Sequence, residues 1–253
     1  MKIKKNPGKM IFDAFNILIL MLVSLSCVLP FVNLLAISLS DSAPVAAGMV
    51  KFWPINPTLS TYEFVLGNDA FLKALLISVK RVLAGVSLNL LLIILTAYPL
   101  SKSGARFKSR NVYAWYFVVS MLFVPTMIPL FMTVQNLGLM DTLWALILPG
   151  ALPVFNMIVM LNFFRGLPTE LEEAALIDGA GHSTILWKIY VPLSTPAIAT
   201  VALFCIITHW NTWLDGILHM NRPENYPLQS YLQTIGINPE QLFKIMGNDP
   251  SIV

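Results

Sequence analysis

Of 253 residues, 57% are hydrophobic and only 11% charged, and the mean hydropathy is +0.73. An average soluble domain carries about 25% charged residues, so this composition excludes a water-soluble globule, a disordered chain and a disulfide scaffold, and points to an integral membrane protein. Sixteen Lys and Arg against thirteen Asp and Glu leave a net charge of +3, too small and scattered for a nucleic-acid footprint, so no nucleic-acid partner is expected.

A hydrocarbon core about 30 Å thick requires roughly 20 apolar residues of helix. Uncharged runs of that length lie at Ala14–Ser40, Val82–Ser101, Asn111–Met140, Thr142–Phe164 and Leu193–Leu214, which predicts an all-α polytopic helical bundle with five visible spans. The first run follows a basic leader (Lys2, Lys4, Lys5, Lys9), as a cleavable signal would. Its apolar stretch far exceeds the about 7–15 residues of such a signal, and a retained span is expected. The segment Asp41–Ala70, with Pro44, Pro54 and Pro57, reads as irregular loop with short helix. Lys73, Lys80 and Arg81 sit in and before the second run. Pro125 and Pro129 interrupt the third run, and Pro149 and Pro153 the fourth. Each proline frees backbone groups that neighbours or water must satisfy, so kinks are expected, either from tilted packing or from broken helices lining a solute path. Cys27 and Cys205 lie in apolar runs and read as small core residues rather than a disulfide.

Lys and Arg in short flanks set orientation. The amino-terminal leader, the Lys102–Arg110 loop (Lys102, Arg106, Lys108, Arg110) and the loop after the fourth run (Arg165, Lys188) hold ten. The other side has Lys51, Arg222 and Lys244. The ten-cation side is expected to be cytoplasmic, with the amino terminus there and the tail after Gly216 outside. Residues 1–70 then form the amino-terminal flank, first span and outer loop, and residues 71–253 the main membrane domain with a loop at 165–194.

That loop carries Leu167-Pro168-Thr169-Glu170-Leu171-Glu172-Glu173-Ala174-Ala175-Leu176-Ile177-Asp178-Gly179-Ala180-Gly181 and reads as helix, turn, helix. Thr169 and Glu172 have capping-box spacing, and acidic residues crowd the first turn. Gly179 and Gly181 end the first helix, because glycine accepts the left-handed backbone of a helix stop. Ser183 or Thr184 caps a second short helix, Pro192 ends it, and Thr195-Pro196 opens the fifth span. Glu172 is expected on the exposed side, where its loss would do little. A structured loop of this kind suggests docking to a partner.

Glu173-Ala174-Ala175, then Gly179, then Ile189-Tyr190-Val191-Pro192 resembles the EAA loop of ABC-importer permeases, with Val191 where the family has Leu. The Leu167–Glu172 and Asp178-Gly179-Ala180 stretches look most like the carbohydrate-uptake, maltose-permease type. Ala97-Tyr98-Pro99-Leu100-Ser101 and His209-Trp210-Asn211-Thr212-Trp213 extend the resemblance over nearly the whole chain from about residue 10. It implies a non-enzymatic subunit that moves a sugar or oligosaccharide across a bacterial inner membrane. It further implies a second, similar permease, two ATPase subunits that bind ATP and Mg, and an extracytoplasmic solute-binding protein. No cofactor is expected in this chain, which lacks a G-x-x-x-x-G-K-S/T loop. In this resemblance Glu173 faces a basic group on the ATPase and Gly179 supplies the turn. Ala174, Ala175, Asp178, Ile189 and Pro192 complete the ATPase-coupling set. Family members usually have six spans, so the chain is expected to be incomplete at its carboxyl end, Asn248–Val253.

Two readings stand for Lys80 and Arg81: basic groups on an outer helical extension at the interface, or a basic lining of the path suited to acidic sugars. Trp210 and Trp213 fit an aromatic belt, while Asn211 and Trp213 are also candidates for the solute path. An ion-coupled secondary transporter is the rival reading. It would need an acidic residue within a span, and Asp215, at a span margin, is the candidate. His182, His209 and His219 lack metal-ligand spacing, so no metal site is expected.

Overall fold

The computed structural model describes residues 7–123 and 125–237. Lys2, Lys4, Lys5, Lys244 and the end Asn248–Val253 lie outside the described residues. The chain divides into two compact units, one ending at Asp69 and the other starting at Ala70.

The first unit holds α1 (Pro7–Ser38), α2 (Ser42–Ala46) and α3 (Ser60–Leu66). Asp41 caps α2, its carboxylate accepting from the Ser42 N–H at 2.7 Å. The segment after α2 folds back on the end of α1: Ile55 N–H donates to Ser40 Oγ at 3.0 Å, and Thr58 N–H to the Leu39 carbonyl at 3.0 Å. Cys27 is exposed on α1, so the expectation of a core residue is corrected there. Most of α1 presents apolar side chains outward, which suits lipid rather than water.

The second unit begins with α4 (Asp69–Ser101), a continuous 33-residue helix. It is about 50 Å long, some 20 Å more than a bilayer core, so its amino-terminal turns have room beyond the hydrocarbon or in a tilt. α5 (Arg110–Leu122) and α6 (Met127–Asn136) flank Pro125. α7 (Leu143–Ile147) runs into a 3₁₀ turn, Leu148–Gly150, and α8 (Val154–Arg165) follows. Next come α9 (Thr169–Ile177), α10 (His182–Ile185), α11 (Val191–Leu193), α12 (Thr195–Asn211), α13 (Leu214–His219) and α14 (Leu228–Ile237). No strand occurs among the described residues. α1 and α4 are long and apolar enough to cross a membrane alone. Three helix pairs reach that standard only together across a bend, including Leu143–Gly150 with α8 at 52° and His182–Leu193 with α12 at 81°. The prolines of the fourth run therefore break the helix: Pro149 lies in the 3₁₀ turn and Pro153 sits immediately before α8.

The core joins α4, α8 and α12 through Ile93, Ala97, Met157, Met160, Phe164, Val201 and Cys205. Between helices in lipid, apolar burial supplies little net drive, and close packing and interhelical hydrogen bonds hold the bundle. The break at Pro149–Pro153 leaves carbonyls without intrahelical donors. Asn89 of α4 satisfies two of them, its Nδ2 donating to Gly150 O at 2.9 Å and Ala151 O at 2.7 Å.

Candidate functional site

The loop between α8 and α12 is built as two helices on a stiff turn. α9 starts at Thr169 behind the extended Pro168, so Thr169 is the first helical residue and not the cap that its spacing with Glu172 suggested. At the other end Ala180 N–H bonds Ala175 O at 2.9 Å and Gly179 N–H bonds Leu176 O at 3.1 Å, the paired closure of a Schellman stop. Gly179 takes φ +80°, the left-handed backbone expected of it, whereas Gly181 does not adopt a positive φ. α10 then starts at His182 without a side-chain cap, so neither Ser183 nor Thr184 has the capping role expected. Instead of ending at Pro192, the helix widens into a π turn over Leu186–Tyr190 and passes through α11. The cause is local: the Pro192 ring collides with the carbonyl four residues back, and a wider turn accommodates it. Ile189 lies in that turn, partly buried against the core, and Ala175 of α9 packs there too.

Glu172 overturns its expected position. It is 2% exposed, while its neighbour Glu173, with Ala174 and Asp178, faces outward. The Glu172 carboxylate accepts from Lys102 Nζ at 2.9 Å and from the Tyr190 hydroxyl at 2.7 Å, and lies 3.0 Å from the Arg106 guanidinium. Burial alone would raise its pKa, but the bonds from Lys102 and Tyr190 and the charges of Lys102 and Arg106 outweigh burial and hold it below the ordinary carboxylate value. Burial lowers the pKa of Lys102, with the Glu172 bond opposing. The ammonium is also sandwiched 3.9 Å from the Tyr98 ring centre and 4.0 Å from that of Tyr190. Burial and the adjacent carboxylate push the Tyr190 phenol upward, so it stays a donor. Glu173 pairs with Arg106 at 3.2 Å, both side chains well exposed. Beside Glu173 the surface of α9 carries Leu171, Leu176 and Ile177, the last 87% exposed.

The second cluster lies toward the other end of α4. Arg81 is neither an interfacial anchor nor an open lining: it is 2% exposed and forms an ion pair with Asp215. Its guanidinium also donates to Thr212 O at 3.2 Å, a carbonyl at the end of α12. Lys80, Asn211 and Trp213 are exposed, in contrast to Arg81. His209, buried, donates from Nε2 to Asn89 Oδ1 at 2.7 Å, since the amide nitrogen of Asn89 is already committed to carbonyls. Gly85 permits that contact, because a Cβ there would lie 2.5 Å from His209 Nε2.

Sequence reasoning missed Lys102, Tyr190, Asn89 and His209 as partners. One signal was present for the first of them: Lys102 comes four residues after Tyr98, directly past the end of α4, a spacing that brings side chains to one face. Among the described residues no cluster of His, Cys, Asp or Glu could hold a metal ion.

Residues 82–218 match the family model described as a binding-protein-dependent transport system inner membrane component. The chain is 39% identical over 227 residues to the polygalacturonan/rhamnogalacturonan transport system permease protein YtcP of Bacillus subtilis, covering 90% of this chain and 79% of that protein. LplC of Bacillus subtilis is likewise 39% identical over 227 residues, covering 90% of this chain and 76% of LplC. Among solved structures, a bacterial ABC transporter involved in import of the acidic polysaccharide alginate superposes with a TM-score of 0.88 at 32% identity, over 94% of this chain and 85% of that one. Asp215, the acidic group an ion-coupled carrier would need, is held by Arg81, and the matched family sets that rival aside. With its broken-helix bundle and its matches over most of its length, the chain belongs to the inner-membrane components of binding-protein-dependent transport systems, the permease subunits of ABC importers.

Proposed function

We propose that this permease carries an acidic oligosaccharide, delivered by an extracytoplasmic solute-binding protein, through a path shared with a second permease. Two ATPase subunits, binding ATP and Mg, dock beneath it on the face of α9. The observation that carries the docking reading is Ile177, a large apolar side chain 87% exposed at the tip of a helix held rigid by a buried ion pair and a glycine stop. An apolar tip rimmed by Glu173 and Asp178 fits a protein cleft better than water. In this reading Glu173 meets a basic group, Ala174, Ala175 and Asp178 shape the contact, Gly179 sets its angle, and Ile189 and Pro192 stiffen its return to α12.

The acidic substrate is supported by two of the similar proteins, whose names specify polygalacturonan/rhamnogalacturonan and the acidic polysaccharide alginate. Lys80, exposed in the amino-terminal half of α4, is a cation available to such a solute, with Asn211 and Trp213 as further candidates. Arg81 is already neutralised by Asp215. The membrane domain is proposed to start near residue 71, with the amino terminus cytoplasmic.

The test is to purify Glu173→Lys and Gly179→Pro with the whole importer and measure ATPase retention and uptake of trigalacturonate and maltotriose. A buried charge pair broken on one side costs about 2–5 kcal/mol of binding. Both variants are therefore expected in the membrane at near-normal levels, without ATPase and without uptake. Normal retention would overturn the docking reading, and preferential uptake of maltotriose by the unaltered importer would overturn the acidic substrate.

A further inference from the structure

The Lys102–Glu172 pair joins elements that are far apart in sequence. Lys102 follows the last residue of α4, Glu172 lies on α9, and Tyr190 closes the π turn before α11. Their bonds are short and directional: 2.9 Å from Lys102 Nζ and 2.7 Å from Tyr190 Oη to the same carboxylate oxygen. The three are enclosed by aromatic rings, with Tyr98 and Tyr190 edge to face at 5.1 Å and Phe164 at 5.4 Å from Tyr190. Side-chain exposure is 8% for Lys102 and 3% for Glu172, so water cannot replace either partner without opening the site. Two carbonyls at the same end of α4 are also held, Leu100 O by Arg165 at 3.3 Å and Lys102 O by Arg110 at 3.2 Å. The pair between Arg106 and Glu173, by contrast, is exposed and exchanges readily with water.

A contact transmits displacement only when it is stiffer than the elements it joins. α9 leans on the bundle through few apolar side chains, since Leu171, Leu176 and Ile177 all face outward. The polar cluster is therefore what couples it to α4. From there α4 runs unbroken to Asp69 and, through Arg81, holds the carbonyl end of α12 and the start of α13. We propose that Lys102, Glu172 and Tyr190 clamp α9 and the end of α4 into one rigid body, so that a push on α9 reaches the whole of α4 and the break between α12 and α13. This inference rests on the docking reading of α9 for the origin of the push, while the clamp itself is independent of it.

The test uses the complete importer, purified with its partner permease and ATPase subunits, with Cys27 replaced by Ser. Nitroxide labels go on Leu95→Cys and Glu170→Cys, two exposed positions on α4 and α9. The interlabel distance is expected to be narrowly distributed and unchanged by trapping with ATP and vanadate. In Lys102→Met/Glu172→Gln, which removes both charges and so strands neither, the distribution without nucleotide is expected to about double in width as local opening becomes accessible. Tyr190→Phe should broaden it in the same direction, and Lys102→Arg should restore the narrow distribution. A distance that shifts on trapping in the unaltered clamp, or stays narrow in both the double variant and Tyr190→Phe, would overturn the proposal. Because width is read without nucleotide, the clamp is judged even if Glu173→Lys retains its ATPase and the docking reading falls.

Discussion

Glu172 and Glu173 are adjacent carboxylates in opposite surroundings. Glu172 is buried on Lys102 and Tyr190, and Glu173 reaches out to Arg106 and solvent. Removing the Glu172 charge strands the Lys102 ammonium, and breaking a buried pair on one side costs about 3–5 kcal/mol. Removing the Glu173 charge dissolves an exposed pair worth at most about 1 kcal/mol. Glu172→Gln is therefore expected to lower the thermal unfolding midpoint, followed by tryptophan fluorescence, while Glu173→Gln leaves it nearly unchanged. Equal midpoints would refute the buried pair. The pH dependence has a definite sign. Because the folded pKa of Glu172 is depressed, its contribution is present above the ordinary carboxylate value of 4.5 and is lost as pH falls through the lower folded value. Acid should thus loosen the loop only below about pH 4.5, and in Glu172→Gln that acid-linked step should be absent. The sequence alone misplaced this residue, since glutamates in the first turn of a helix, here Glu170 and Glu172, read equally well as dipole compensation on a wet surface. Lys102, the partner that decides the matter, is 70 residues away.

At the level of elements, the prolines and Gly179 were legible because each acts on its own neighbours. Pro149 and Pro153 break the fourth apolar run, and Gly179 takes the positive φ that its place after the helix predicts. The caps were less legible, because Thr169, Ser183 and Thr184 have the right side chains but the chain enters its helices at Pro168 and Gly181, one to three positions earlier. Illegible altogether was the pairing of α4 with α12, which depends on Gly85 letting a histidine ring approach the backbone. A methyl group at Gly85 would force His209 from Asn89, and overpacking of this kind costs typically about 1–3 kcal/mol. Gly85→Ala is expected to lower the midpoint by that measure, and Gly85→Ala/His209→Ala to recover part of it by removing the ring. If the single variant is as stable as the parent, the close approach of α4 and α12 is wrong.

For the whole molecule, composition was enough to specify a membrane helical bundle, since 11% charged residues cannot cover a soluble surface. The orientation argument also acts at this scale, with ten cations on one set of short flanks against three on the other. It predicts that a thiol placed at Ser109 in intact cells resists a membrane-impermeant maleimide and reacts only after the membrane is opened. Reaction from outside would invert the arrangement. The second fact at this scale is that the two polar clusters sit toward opposite ends of α4. One, just past its carboxyl end, joins α4 to α9, and the other, at Arg81, joins it to α12 and α13, with Asn89 adding a third polar contact between them.

The Arg81–Asp215 pair, separated by 134 residues, also constrains how this chain can diverge. Changing Asp215 alone leaves the Arg81 guanidinium enclosed without its counterpart, which costs about 3–5 kcal/mol. The two positions are therefore expected to change together rather than singly, through a neutral intermediate or a paired exchange. Lys80, one residue away and exposed, carries no such constraint, and its replacement is expected to cost the fold little.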